Sequence, residues 1–181
     1  MRNILQRNFT VAAFAGLAAA FAAGTAMAAQ SKEDMIKEAL SAAPPSLAAV
    51  ASVQDWAGNV LKQGTSSYVC LPRTPDSEVV NSMCLDEAWL GWAHAWQNKQ
   101  PVKIDRVGTA YMLAGDGGAS NIDPFAEKET ADNQWVVEGP HLMVVVPDNA
   151  ALESLATDPK NGGPYVMWKG TPYAHIMVPL D

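Results

Sequence analysis

Two segments near the end of the chain repeat one spacing of histidine and methionine. His141 precedes Met143 by two residues, and His175 precedes Met177 by two residues. Aliphatic residues surround both pairs, so each segment is predicted to be a β-strand, on which successive side chains point to opposite faces. Each strand would therefore present its histidine and its methionine on one face. Neutral imidazole and thioether together favour copper, whereas thioethers are poor ligands for calcium or magnesium.

Paired in register, the two strands would bring His141, Met143, His175 and Met177 together as ligands of one copper ion. Exported copper carriers use His-x-Met pairs, and this motif resembles theirs, although the chain as a whole does not. The alternative is a half-buried sheet face, with Tyr173 and Met167 nearby, on which the histidines bond to backbone carbonyls. The sequence leaves both interpretations open, and copper is the most specific ligand that it indicates.

A tryptophan-rich helix is predicted after Asp86, a residue type that often caps helix N-termini. Trp89, Trp92 and Trp96 follow at positions i, i+3 and i+7, so one face of the helix is aromatic. This face would either fill the core against a sheet or form one wall of a ligand pocket. We name Trp89, Trp92 and Tyr173 as the candidate ligand-binding residues.

The longest segment without predicted structure runs from residue 114 to residue 134. It is dense in glycine and in short side chains that carry oxygen. Asp116, Asn121 and Asp123 are candidate calcium ligands, but their spacing is not that of an EF-hand loop. Turns held by Asx hydrogen bonds explain the same residues without a metal ion.

Cys70 and Cys84 are the only cysteines, and their spacing predicts a disulfide in an exported protein. Closing a loop of this size stabilises the fold by about 3 kcal/mol in the chain-entropy model. We expect Cα atoms about 4.4 to 6.8 Å apart and a crosslink that holds a surface excursion. A thiolate metal site or redox pair is the alternative, but the Cys-x-x-Cys spacing is absent from the sequence.

Residues 1–28 are predicted to be a secretory signal peptide. Arg2 and Arg7 precede an apolar, alanine-rich run that ends in Ala26-Met27-Ala28. Small residues and glycines in this run favour cleavage after Ala28 over stable membrane insertion. The mature protein would then be periplasmic or secreted.

The net charge of the chain limits the classes of partner that it is expected to bind. Its 12 Lys and Arg residues against 19 Asp and Glu residues give a formal net charge of −7. The predicted signal carries two arginines and no acid, so removing it changes the net charge to −9. Basic clusters are absent from the sequence, which excludes nucleic acid and anionic membranes as favoured partners. A small molecule or a metal ion remains as the expected partner. The sequence indicates no particular oligomeric state.

Residues 29–181 are predicted to form a single α+β domain, a length that suits one hydrophobic core. A helix begins after Ser31 and ends before Pro44, and a hairpin turns at Gly58-Asn59. Many short strands with short connections indicate a mostly antiparallel β-sheet with two or three short helices and one disulfide.

Several short blocks of the mature chain resemble a group of exported bacterial proteins of unknown function. The blocks are Met83–Asp86, Tyr111–Leu113 with Gly115-Asp116, Ala119–Asn121, Gly139–His141, and Tyr165–Trp168 with Gly170–Tyr173. The resemblance spans most of the mature chain and implies a single exported domain. It implies no activity and no functional residue.

The favoured function is therefore an exported protein that binds a small ligand, with copper handling through the twin His-x-Met strands as its specific form. A periplasmic hydrolase or isomerase is the second hypothesis, with His141 or His175 as general base beside Asp116, Asp123 or Asp148. Gly-x-Ser-x-Gly, His-Glu-x-x-His and phosphate-loop motifs are absent from the sequence, so an enzyme is less favoured. A structural or interaction domain without a small ligand is the third hypothesis.

Overall fold

The structure, a computed structural model, describes residues 30–75 and 77–180. Its α-helices are α1 (Lys32–Ser41), α2 (Pro45–Ala48) and α3 (Glu87–Gln97), and a short 3-10 helix spans Asn149–Leu152. Its strands are β1 (Ser52–Gln54), β2 (Val60–Lys62), β3 (Val69–Leu71), β4 (Met83–Leu85), β5 (Gly108–Met112), β6 (Ala119–Ser120), β7 (Trp135–Val136), β8 (His141–Val145), β9 (Tyr165–Met167) and β10 (His175–Pro179). The predicted signal peptide lies outside the described residues. Among those that are described, no helix has the length and apolar character needed to cross a membrane.

One eight-stranded sheet organises the described residues, in the order β2-β1-β3-β4-β5-β8-β10-β9. Its neighbouring strands run antiparallel except for β1 and β3, which pair in parallel. Strands β6 and β7 form a separate antiparallel pair. The prediction of a mostly antiparallel sheet with short helices is confirmed. The parallel pair, β4 and α2 were not predicted, and β6 lies inside the segment 114–134 that was predicted to lack secondary structure.

Helices cover opposite faces of this sheet because alternate residues of a strand point to opposite sides. On β4, Cys84 belongs to the apolar cluster beneath α1, whereas its neighbour Leu85 belongs to the cluster beneath α3. Trp89 and Trp92 are buried in the second cluster and Trp96 packs against it. The aromatic face of α3 therefore points toward the sheet, as predicted.

The disulfide joins two strands in the core. Cys70 on β3 and Cys84 on β4 are direct cross-strand partners, fully buried, and bonded with an S–S distance of 2.00 Å. The predicted bond is confirmed, and it lies in the core at the base of the loop that connects β3 to β4. Their Cα atoms lie 3.9 Å apart, below the expected range and also below the roughly 4.5 to 5.5 Å of paired antiparallel strands.

Asp86 fixes the start of α3 and connects it to the sheet. Its side chain accepts hydrogen bonds from the backbone N–H of Trp89 at 3.0 Å and of Thr109, on β5, at 2.6 Å. The N-cap prediction is confirmed. This one carboxylate therefore sets both the first turn of α3 and the position of α3 over β5, which places the tryptophans above the sheet.

Candidate ligand-binding cavity

A cavity of 610 Å³ lies between α3 and the sheet, within the range of small-molecule sites. It is lined by all six tryptophans of the chain: Trp56, Trp89, Trp92, Trp96, Trp135 and Trp168. Five of the six methionines that follow residue 28 line it too: Met83, Met112, Met143, Met167 and Met177. These residues come from distant parts of the sequence, so the fold gathers the chain's largest and most adaptable apolar side chains around one space.

The twin His-x-Met strands form part of the floor of this cavity. His141 and Met143 on β8, and His175 and Met177 on β10, are buried on alternate positions, so each pair shares a face as predicted. Met143 and Met177 are direct cross-strand partners, and Met167 on β9 is the partner of His175. The register thus brings His175 and three methionines together.

The same register separates the two histidines. His141 is the cross-strand partner of Pro179, four residues beyond His175. At about 3.3 Å per residue the two histidines are about 13 Å apart along the strands. Two ligands of one ion need nitrogens about 4 Å apart. The expected convergence of all four residues on one copper ion therefore has no support from the register.

His175 has the environment of a neutral imidazole. It is 2 % exposed, and its Nδ1 lies 3.0 Å from the backbone oxygen of Tyr173, which can only accept a hydrogen bond. Burial lowers the pKa of His175 to about 4, so the ring is uncharged at neutral pH. Since Nδ1 carries the proton, Nε2 offers a free lone pair. His175 lines the cavity, and its ring stands nearly perpendicular to three indoles, with centroids 5.0 to 5.4 Å apart.

His141 is buried as part of the sheet. It is fully buried, with Nδ1 2.8 Å from the backbone oxygen of Gly139. Its Nε2 has no hydrogen-bond partner within the part of the chain that the structure describes. His141 is not among the cavity-lining residues. Of the two predicted histidines, His175 is therefore the one placed for ligand binding.

Two indole N–H groups at the cavity are without acceptors. Trp89 and Trp92 are 2 % and 5 % exposed, and among the described residues neither Nε1 has a hydrogen-bond partner. Their rings are in contact, with centroids 4.6 Å apart. A buried donor left unpaired costs about 1 to 3 kcal/mol. The predicted ligand-binding residues Trp89 and Trp92 therefore combine an apolar surface with donors that no described side chain uses.

Tyr173, the third predicted ligand-binding residue, lies behind this wall. Its ring meets Trp92 edge to face, with centroids 6.2 Å apart, and its hydroxyl donates a hydrogen bond of 3.0 Å to the backbone oxygen of Gln100. It is not among the residues that line the cavity. Tyr173 thus supports Trp92 and reaches a ligand only through it.

The predicted calcium residues hold turns in the structure. Asp116 accepts backbone hydrogen bonds from Gly118 and Glu138, and Asp123 accepts one from Phe125. The side chain of Asn121 donates to the backbone oxygen of Thr157. Within residues 30–75 and 77–180, no group of three or more His, Cys, Asp or Glu side chains is arranged to hold a metal ion. The i to i+2 bonds of Asp116 and Asp123 fit the Asx-turn alternative, whereas Asn121 bonds a distant part of the chain.

The carboxylates that line the cavity are not hydrogen-bonded to Nδ1 of either histidine. Asp116 and Glu127 line it together with His175, but the hydrogen bonds at Nδ1 of both histidines go to backbone oxygens. Of the other two predicted partners, Asp123 accepts from the backbone N–H of Phe125, and Asp148 caps the 3-10 helix by accepting from that of Ala150. Among the described residues, the general-base hypothesis thus has a shared cavity but no hydrogen-bonded His-Asp pair.

A second cavity, of 890 Å³, lies between α1 and the loop after β3. The ion pair of Arg73 with Glu38, 2.8 Å long, lies in its wall. Burial acts to raise the pKa of Glu38, but the hydrogen bonds and charge of Arg73 outweigh it and the pKa is lowered. The charges of Arg73 and Glu38 therefore already neutralise each other. The tryptophan-lined cavity, with its unpaired indole donors, is therefore the better candidate for a ligand-binding site, although its volume is smaller.

No protein-family model, curated protein or solved structure matches the chain. Function is therefore inferred from the site alone.

The cavity includes residues that no sequence pattern had indicated. Trp56 lies in the hairpin turn after β1, Trp135 opens β7, and Trp168 follows β9 in a left-handed conformation. Met83 and Met112 come from β4 and β5. The only available signal was composition, since six tryptophans and eight methionines are many for a chain of 181 residues.

Proposed function

We propose that the protein, exported and freed of residues 1–28, binds a small and largely apolar molecule that carries hydrogen-bond acceptors. The cavity between α3 and the sheet is its binding site. One observation carries the proposal: every tryptophan of the chain and five of its methionines line a single space of 610 Å³. Aromatic and thioether side chains are those that bind apolar molecules most readily.

Packing alone gives a poor account of this arrangement. Protein cores are close-packed, with few voids larger than a water molecule. Here large side chains surround open volume, and the buried indole N–H groups of Trp89 and Trp92 have no acceptors among the described residues. A bound molecule would fill the volume, and a rotation of either indole toward it would let an oxygen acceptor pair with a donor that neighbouring atoms otherwise shield. Trp92, Trp96 and Trp168 are nearly parallel, with interplanar angles of 4 to 21°, which favours a ligand with a flat face.

Binding is favoured over catalysis by the state of His175. A general base works best when its pKa is near the working pH. The pKa of His175 is lowered to about 4 by burial, so this imidazole is a weak base at neutral pH. Its Nδ1 is oriented by a backbone oxygen and not by a carboxylate. A neutral, fixed imidazole suits a hydrogen-bond acceptor or a metal ligand better than a proton shuttle.

Fluorescence titration of the mature protein with 1-anilinonaphthalene-8-sulfonate tests the proposal. This probe combines flat apolar rings with oxygen acceptors. We expect saturable binding with one probe per chain. A probe at 100 times its Kd should raise the free energy of unfolding by about 2.7 kcal/mol.

Two matched variants locate the bound probe. Ala93 lines the cavity from α3, so Ala93→Phe should fill part of it and weaken probe binding at least tenfold. Gly91 lies on the same helix with open space around it, so Gly91→Phe adds the same ring outside the cavity and should leave binding unchanged. Absence of saturable binding, or equal effects of the two variants, would contradict the proposal.

A further inference from the structure

We infer that the floor of the cavity is a site for a soft monovalent metal ion, Cu(I) in chemical class, held by the Nε2 of His175 and the thioethers of Met167 and Met177. Met143 stands beside them as a fourth donor. The inference rests on the proposed function in one respect, since the cavity must admit solutes. It changes the ligand set predicted from the sequence by replacing His141 with Met167.

The sheet register places these donors next to one another. His175 and Met167 are direct cross-strand partners, and Met177 is two residues from His175 on the same face of β10. Direct partners have Cβ atoms about 4.5 to 5.5 Å apart, and i, i+2 neighbours on a strand are about 7 Å apart. Met143 is the cross-strand partner of Met177. The flexible methionine side chain spans such gaps and lets each sulfur turn toward one point.

The donors select for a soft ion. Thioether and imidazole suit Cu(I), whereas calcium and magnesium take oxygen ligands. All four side chains are buried and line the cavity. They provide one nitrogen and three sulfur atoms without any negative charge, so a monovalent ion costs less to bury here than a divalent one.

The tryptophans around the donors add to this preference. The ring of His175 lies 5.0 Å from that of Trp168 and 5.3 Å from that of Trp92, measured between centroids. An indole face within about 6 Å of a cation attracts it, more strongly where water is excluded. Trp89 is also 5.4 Å from His175. These three indoles surround the imidazole that would hold the ion.

Titration with silver nitrate in chloride-free buffer tests the site, because Ag(I) is a soft monovalent ion that is stable in air. Mature protein labelled with [methyl-13C]methionine should bind one Ag(I) per chain, with the methyl resonances of Met167 and Met177 shifting. Met167→Leu and Met177→Leu each remove one sulfur while nearly conserving volume. Each should weaken Ag(I) binding at least tenfold. Met35→Leu, in the second cavity, is the matched control and should change nothing.

The outcomes separate this inference from the proposed function. If the probe 1-anilinonaphthalene-8-sulfonate binds all three leucine variants normally, their cavity is intact, and loss of Ag(I) binding in Met167→Leu and Met177→Leu supports the site. Ag(I) affinity unchanged in both variants, or silver shifts confined to Met35, overturns the metal site even where the probe binds. Failure of the probe with normal Ag(I) binding overturns the apolar-ligand proposal instead.

Discussion

Lowering the pH from 7 to 4 should destabilise the ligand-free protein through His175. Burial lowers the folded-state pKa of His175 from 6.5 to about 4. The unfolded chain therefore binds a proton between these values that the folded chain does not, so the free energy of unfolding falls as the pH falls through this window. A difference of about 2.5 pKa units corresponds to about 3 kcal/mol. Above pH 6.5, where the imidazole is uncharged in both the folded and the unfolded chain, this loss of stability is absent.

Urea unfolding between pH 7 and pH 4, with a chelator of soft metals present, measures this dependence. His175→Phe removes the titrating group, so the variant should lose about 3 kcal/mol less than the wild type over this range. If His175→Phe folds poorly, NMR titration of the wild-type imidazole replaces it. Equal pH dependence of wild type and His175→Phe, or a His175 ring that titrates near pH 6.5, would refute the reasoning.

Two further predictions concern the elements that hold the cavity. Replacing both Cys70 and Cys84 with alanine should lower the free energy of unfolding, measured in urea, by about 3 kcal/mol. Because both sulfur atoms are fully buried, dithiothreitol should reduce the native bond only as the protein unfolds; rapid reduction in native buffer would contradict that burial. Asp86→Ala should cost about 2 kcal/mol in the same assay, since it removes the acceptor for the N–H groups of Trp89 and Thr109. Asp86→Asn keeps one of the two acceptor oxygens and should cost less than Asp86→Ala, and an Asp86→Ala variant as stable as the wild type would contradict the role of these bonds.

Local patterns predicted the elements whose residues lie close in sequence. The period of two placed His175 and Met177 on one strand face, and the helical period placed Trp89 and Trp92 toward the sheet, because both depend only on backbone geometry. The N-cap at Asp86 followed from side-chain chemistry in the same way. These parts of the site could be predicted from the sequence.

Features that depend on strand pairing could not be predicted. The register that sets His141 opposite Pro179 follows from packing across the whole sheet, and a local pattern carries no information about it. For the same reason the direct pairing of Met167 with His175 could not be predicted, although Met167 was expected near the sheet face that carries the histidines. The burial of Cys84 depends on β4, a three-residue strand too short to show a pattern.

The most direct test of the ligand-binding cavity uses its methionines as reporters. The mature protein should show six [methyl-13C]methionine resonances, each assigned by a Met→Leu variant. Adding 1-anilinonaphthalene-8-sulfonate should shift resonances of the cavity methionines Met83, Met112, Met143, Met167 and Met177 and leave that of Met35 in place. A titration that shifts none of the five, or shifts only Met35, would contradict the assignment of this cavity as the binding site.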